Sequence, residues 1–159
     1  VLLREIGRTS ISAKGFCVLR CALSHSIQGP QKDVVSSFLE GRLAQILRSS
    51  VRASDVIAHT AKCEFTIILP ELNEHLARIP LERIRRAAER WNKNSGLQYR
   101  MRIKFGLCEY ERTTTPQQLL SEVAHRCHVD QFSRTTAHQY IPPAHRLEYT
   151  PADDQRPVC

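Results

Sequence analysis

Long apolar runs are missing from this 159-residue chain, together with several other patterns that define protein classes. No stretch of 18 apolar residues occurs, which excludes a membrane-spanning helix within the sequence. Six glycines and eight prolines are too few for a flexible linker or a disordered chain. The six cysteines form no CxxC pair and lack the dense spacing of a secreted disulfide framework, so we expect free thiols in a reducing cytosol.

Acidic residues are outnumbered: 23 lysines and arginines face 16 aspartates and glutamates, which gives a formal net charge of +7. Arginine carries most of this charge, and its planar guanidinium suits phosphates and the edge of guanine. The excess favours an anionic partner, whether a nucleotide, a nucleic acid or an acidic protein. The rest of the composition, 42% hydrophobic and 25% charged, is that of a globular domain.

Hydrophobic periodicity predicts strands and helices in alternation. Short apolar or alternating runs predict strands at residues 15–23, 56–59, 64–69 and 99–110. Apolar residues at helical spacing predict helices at residues 33–48, 73–92 and 115–127. Asp33 is predicted to cap the first helix, and Pro80 is predicted to lie in the first turn of the second.

A last short strand is expected at residues 138–141, so the order is β-α-β-β-α-β-α-β. This order predicts an α+β fold with a ferredoxin-like centre, a mainly antiparallel sheet flanked by helices. We expect residues 15–141 to form this domain. Residues 1–14 are expected to connect it to a preceding domain, and residues 142–159 to form an irregular tail.

The most specific pattern lies at residues 52–70, RASDVIAHTAKCEFTIILP. It resembles the diguanylate cyclase (GGDEF) family, in which an RxxD motif lies five residues before the GGDEF signature and a strand ending in proline follows. Arg52 and Asp55 supply the RxxD, and residues 61–65, AKCEF, take the place of GGDEF. Three later segments agree with the family pattern: ERIR at 82–85, IKFGL at 103–107 and TPQQLL at 115–120. The resemblance implies a nucleotidyl cyclase type of fold.

The catalytic half of the family pattern is incomplete in this sequence. The resemblance implies an aspartate after the first strand that binds Mg²⁺, but no acidic residue occurs between Glu5 and Asp33. The third signature position, a second metal ligand in the family, is Cys63, whose thiol substitutes poorly for a hard oxygen ligand. Ala61 and Lys62 replace the two glycines. We therefore expect a degenerate GGDEF domain that has no catalytic residues, no metal site and no enzymatic activity.

The ligand-binding half of the pattern is retained. In the family the RxxD is an inhibitory site for the product, cyclic di-GMP (c-di-GMP), and the resemblance implies that Arg83 on the following helix takes part. Arginine matches the O6 and N7 acceptors of guanine, and a carboxylate such as Asp55 matches its N–H donors. His59 is predicted as an auxiliary contact. The resemblance also implies an intercalated ligand dimer, whose remaining contacts come from a second subunit, another domain or a partner.

The combination also resembles the c-di-GMP-binding domains of bacterial cellulose secretion systems. It implies a preceding receiver-like domain and a cytoplasmic location with recruitment to an inner-membrane complex. The implied partners are cellulose synthase complex subunits, among them small regulatory and ATPase-like cytosolic proteins, and no nucleic acid.

Three alternatives remain open. If the RxxD is only an exposed ion pair, which contributes about 0–1 kcal/mol, the domain is a protein-interaction module without nucleotide binding. A residual cyclase or another nucleotide-processing enzyme would turn over GTP with Mg²⁺. An RNA-binding ferredoxin-like domain agrees with the positive charge, but the sequence has no RNP-like aromatic strand motif.

Overall fold

The computed structural model describes residues 15–24, 30–97, 99–130 and 132. The elements in this part are β1 (Phe16–Ser24), α1 (Lys32–Ser50), β2 (Val56–Ala61), β3 (Glu64–Pro70), α2 (Glu74–Asn94), β4 (Arg102–Glu109) and α3 (Pro116–His128). Their order confirms the predicted β-α-β-β-α-β-α sequence. The predicted strand at 138–141 and the segments 1–14 and 142–159 lie outside the described residues. None of the described helices is both long and apolar enough to cross a membrane.

The four strands form one antiparallel sheet in the order β2-β3-β1-β4. Strand β1 lies inside the sheet, where Leu19 faces Ile67 of β3 on one side and Leu107 of β4 on the other. Its nearly continuous apolar sequence follows from this position, because helices cover both of its faces. The sheet and its three helices confirm the predicted α+β class.

The core is divided by the sheet into two layers. On one face, Leu19 and Cys21 of β1 pack with apolar residues of α1 and α2. On the other face, Phe16 and Val18 pack with residues of α3. Because side chains alternate across a strand, neighbouring residues of β1 enter different layers. Helices α1 and α2 therefore share one side of the sheet, and α3 occupies the other.

Helix α3 approaches the sheet most closely at Gly106 of β4. A Cβ atom on Gly106 would lie 2.3 Å from the Val123 carbonyl oxygen and 2.4 Å from the Cys127 backbone nitrogen. These are backbone atoms, so no side-chain rotation could make room. The absence of a side chain at Gly106 thus sets the depth at which α3 packs.

The start of α3 agrees with the sequence prediction. The Thr115 hydroxyl accepts a hydrogen bond from the Gln118 backbone N–H, and the Gln118 side chain accepts one from the Thr115 backbone N–H. Pro116 follows at the first helical position, where its missing N–H has no cost.

Two details predicted for the helix starts are wrong: the Asp33 cap and the place of Pro80 in a first turn. The N-cap of α1 is Gln31, and Asp33 lies within the first turn, where its carboxylate pairs with Lys62 at 2.6 Å. Helix α2 begins at Glu74 after Asn73, whose side chain accepts a hydrogen bond from the Leu76 N–H. Pro80 is therefore a buried residue inside α2 and is not in its first turn. A polar side chain near a helix start is not by itself a cap.

Replacing Gly106 by alanine should destabilise the domain, because the new Cβ would collide with the backbone of α3. We expect the free energy of unfolding to fall by about 1–3 kcal/mol, the usual range for overpacking. Urea denaturation followed by circular dichroism measures the change.

The matched control is Gly41→Ala in α1, where a Cβ atom meets nothing within 4 Å. Alanine is the better helix former, so this variant should gain about 0.5–1 kcal/mol. An unchanged unfolding midpoint for Gly106→Ala would contradict the close packing described here.

Candidate functional site

The RxxD residues form the turn between α1 and β2. The Asp55 backbone N–H donates to the Arg52 carbonyl oxygen at 3.1 Å, and the Arg52 backbone N–H donates to Asp55 Oδ2 at 2.7 Å. The turn is thus closed by a backbone bond and by the Asp55 carboxylate. The other carboxylate oxygen of Asp55, Oδ1, lies 3.5 Å from the Ser54 hydroxyl. The Arg52 side chain is exposed.

Arg83 reaches the same turn from α2. Its Nη1 donates to the Ser50 carbonyl oxygen at 3.0 Å, across a separation of 33 residues. Ser50 is the last residue of α1, where carbonyl groups have no partner within the helix, so a guanidinium is a suitable donor. Arg83 therefore lies at the carboxyl end of α1, from which the RxxD turn with Arg52 begins two residues later.

His59 lies away from this group. Strand β2 carries it seven residues beyond Arg52, and an extended chain rises about 3.3 Å per residue. Its Nε2 lies 2.8 Å from Glu40 Oε1, and its ring is 5.0 Å from the Phe65 ring. The structure brings Arg52, Asp55 and Arg83 together, whereas His59 belongs to the opposite end of the β2–β3 hairpin.

Glu40 organises that end of the hairpin, and sequence reasoning missed it. One carboxylate oxygen pairs with His59, and the other accepts a hydrogen bond from the Cys63 backbone N–H at 2.8 Å. Cys63 has a φ of +63°, a left-handed conformation that favours glycine, so this bond holds a strained turn. The sequence feature that could have revealed this role of Glu40 is its seven-residue spacing from Asp33. This spacing places both carboxylates on one face of the helix, towards the hairpin.

The AKCEF hairpin does not offer the donors that magnesium needs. Glu64 forms an ion pair with Arg20 of β1. Burial and the neighbouring Glu40 raise the pKa of the Cys63 thiol, which keeps it protonated at neutral pH. In the described part of the chain, no group of three or more His, Cys, Asp and Glu side chains could hold a metal ion. These residues do not fit the Mg²⁺ that the family resemblance implies.

Comparison with solved structures finds the same fold in several bacterial proteins. Diguanylate cyclase SiaD of Pseudomonas aeruginosa, solved with its activator SiaC, has a TM-score of 0.68 and 17% identity, covering 82% of this chain and 51% of that one. The coiled-coil and GGDEF part of DgcB from Caulobacter crescentus, solved with c-di-GMP, has a TM-score of 0.71 and 12% identity, covering 82% and 71%. The FimX GGDEF domain of P. aeruginosa has a TM-score of 0.65 and 14% identity, covering 81% and 82%.

The chain spans about half the length of the SiaD chain. No curated protein matches the sequence. At these identities the structural likeness establishes the fold alone, which is GGDEF-like, with a four-stranded antiparallel sheet and three helices in the described residues.

A family model provides the identification. The model described as diguanylate cyclase, GGDEF domain, matches residues 38–131, more than half of the chain. The expectation that this chain is not an enzyme is therefore wrong, because the matching family is that of diguanylate cyclases and points to an enzyme. The chain belongs to the diguanylate cyclase GGDEF-domain family.

Proposed function

We propose that this GGDEF domain binds c-di-GMP at the surface formed by Arg52, Asp55 and Arg83. The observation that carries the proposal is the hydrogen bond from Arg83 to the Ser50 carbonyl oxygen. It brings an arginine of α2 to the turn that Asp55 closes. Two exposed arginines, one in the turn and one on α2, thus lie at the same end of α1 as the Asp55 carboxylate.

Each side chain has a suitable part of the ligand to bind. A guanidinium has five N–H donors, and Arg83, which is exposed, uses one of them on Ser50, so the others are available for a phosphate or a guanine edge. Arg52 forms no ion pair with the described residues and has the same chemistry available. Asp55 uses Oδ2 to hold the turn, which leaves Oδ1 to accept from the N1–H or N2–H of guanine.

These three residues cover only one side of a cyclic dinucleotide. We propose that two intercalated ligands bind and that a second copy of the domain, another domain or a partner completes the shell. A ligand bridging two surfaces stabilises their association, so binding would couple the second messenger to assembly. DgcB, solved with c-di-GMP, and SiaD, solved with its activator, are precedents for a ligand and a protein partner in the same fold.

The cellular output is proposed from sequence resemblance. Residues 52–55, RASD, together with the altered signature, resemble BcsE, the c-di-GMP-binding protein of bacterial cellulose secretion. We propose that the domain, at residues 15–141, regulates a cellulose synthase complex through its regulatory and ATPase-like cytosolic subunits. The competing proposal is a protein-interaction module whose RxxD binds no nucleotide.

Replacing either arginine should weaken c-di-GMP binding, because each loses charged hydrogen bonds to the ligand. For Arg52→Ala and Arg83→Ala we expect a loss of about 1.5–3 kcal/mol, or about 10- to 150-fold in Kd. Isothermal titration of c-di-GMP into the chain measures this, and a stoichiometry near two would support the ligand dimer.

The matched control is Arg102→Ala, which removes the same charge from β4, at the opposite edge of the sheet from β2. Its affinity should equal that of the wild type. Absence of binding by the wild-type chain, or equal affinity in all three variants, would favour the interaction module. Incubation with GTP and Mg²⁺ in parallel tests the cyclase activity that the family indicates.

The two roles of Asp55 can be separated by substitution. Asp55→Asn keeps a carbonyl oxygen for the Arg52 N–H and should preserve the turn, but it loses the charge that guanine N–H donors favour. We expect an unchanged melting temperature and a Kd raised about tenfold. Asp55→Ala should lose both thermal stability and affinity. Wild-type affinity in Asp55→Asn would restrict Asp55 to holding the turn.

A further inference from the structure

We propose that the groove between α1 and α2 binds an acidic amphipathic helix of a partner protein. This groove is a concavity of about 390 Å³ whose lining residues are Ser37, Phe38, Gly41, Arg42, Gln45 and Trp91. It is separate from the RxxD surface, and the inference goes beyond c-di-GMP binding.

Helix α1 has apolar residues on two of its faces. Leu39 and Leu43 are fully buried against the sheet. Val34 and Phe38, four residues apart on another face, are 72% and 54% exposed. The Phe38 ring lies 6.3 Å from the Trp91 ring of α2, so the exposed apolar surface continues across both helices. A partner that supplies apolar side chains would bury this junction.

Gly41 forms the open part of the groove. It lies in the interior of α1, where glycine is less favourable than alanine. A Cβ atom there would meet nothing within 4 Å, so the packing of the described residues does not require a glycine. The missing side chain instead leaves room beside Phe38 for a side chain from outside the domain.

Positive charge lies beside this apolar centre. Arg42, which lines the groove, and Arg48 of the same helix are exposed and form no ion pair with the described residues. The two acidic residues of α1 are both engaged by the hairpin, Asp33 by Lys62 and Glu40 by His59 and Cys63. The outer surface of α1 is thereby left with uncompensated cations.

The combination of an apolar gap and nearby cations favours one class of binding partner for the groove. A second copy of the domain would place like charges against each other. A nucleic acid or an anionic bilayer would match the cations but would not use the gap at Gly41. An amphipathic helix with a large apolar residue for the gap and acidic residues on its flanks satisfies both observations, as in helix-in-groove recognition.

The test measures fluorescence anisotropy of a labelled 18-residue helical peptide that has Leu and Phe along one face and Glu on the others. A second peptide of the same composition in scrambled order controls for net charge. We expect the patterned peptide to bind the wild-type chain and the scrambled peptide to bind at least tenfold more weakly. Equal affinity for both peptides, or no binding of the patterned one, would overturn the proposal.

Gly41→Trp fills the gap without touching the core, and Gly41→Ala is its matched control. Gly41→Trp should lower affinity for the patterned peptide at least tenfold, whereas Gly41→Ala should change it less than threefold. Arg42→Glu should weaken binding several-fold, because Arg42 lines the groove, and Arg102→Glu, on β4, should not. Full affinity in Gly41→Trp, with the fold verified by circular dichroism, would refute the groove.

Two further probes test whether the groove binds a membrane or a nucleic acid instead. Vesicles with 30% phosphatidylglycerol and a single-stranded oligonucleotide should bind weakly and equally to wild type and Gly41→Trp. Tighter binding of either probe than of the patterned peptide would replace the proposal with a membrane or nucleic-acid surface. Gly41→Trp should keep wild-type affinity for c-di-GMP, so this proposal and the proposed function can fail separately.

Discussion

The packing of α1 against α2 underlies both candidate surfaces of this domain. At one end, Arg83 donates to the Ser50 carbonyl oxygen, which satisfies a helix-terminal acceptor and fixes a guanidinium beside the RxxD turn. Towards the other end, Phe38 and Trp91 make the contact between the helices. Apolar residues below them bind both helices to the same face of the sheet. Any change in the relative position of α1 and α2 would therefore affect the arginine pair and the groove together.

The sequence predicts those features that depend on short-range patterns. Alternation and apolar runs locate the four strands of the described residues because the period of side-chain burial is fixed by the backbone. The start at Thr115 is predictable because a capping box is local. The roles of Asp33 and Glu40 are not, because Lys62 and Cys63 are 29 and 23 residues away. His59 is near Arg52 in sequence, but an extended strand separates them in space.

The fold and the site differ in how closely they depend on residue identity. The described chain keeps the fold of DgcB at 12% identity and a TM-score of 0.71, because many apolar side chains of similar size can fill the same layers. A binding or catalytic site, by contrast, depends on particular functional groups at particular positions. At the AKCEF hairpin, Arg20 is paired with Glu64 and Cys63 adopts a left-handed conformation. Family membership therefore states the activity class, while the chemistry of each site must be argued from its own residues.

Helix α1 contacts the Cys63 turn of the β2–β3 hairpin and leads into the RxxD turn that precedes β2. Glu40 accepts a hydrogen bond from the Cys63 backbone N–H, and ten residues later the Ser50 carbonyl oxygen accepts one from Arg83. At a rise of about 1.5 Å per residue, these anchors are about 15 Å apart along a continuous helix. The Cys63 turn and the end of α1 that leads into the RxxD turn are therefore spaced by the length of one unbroken helix.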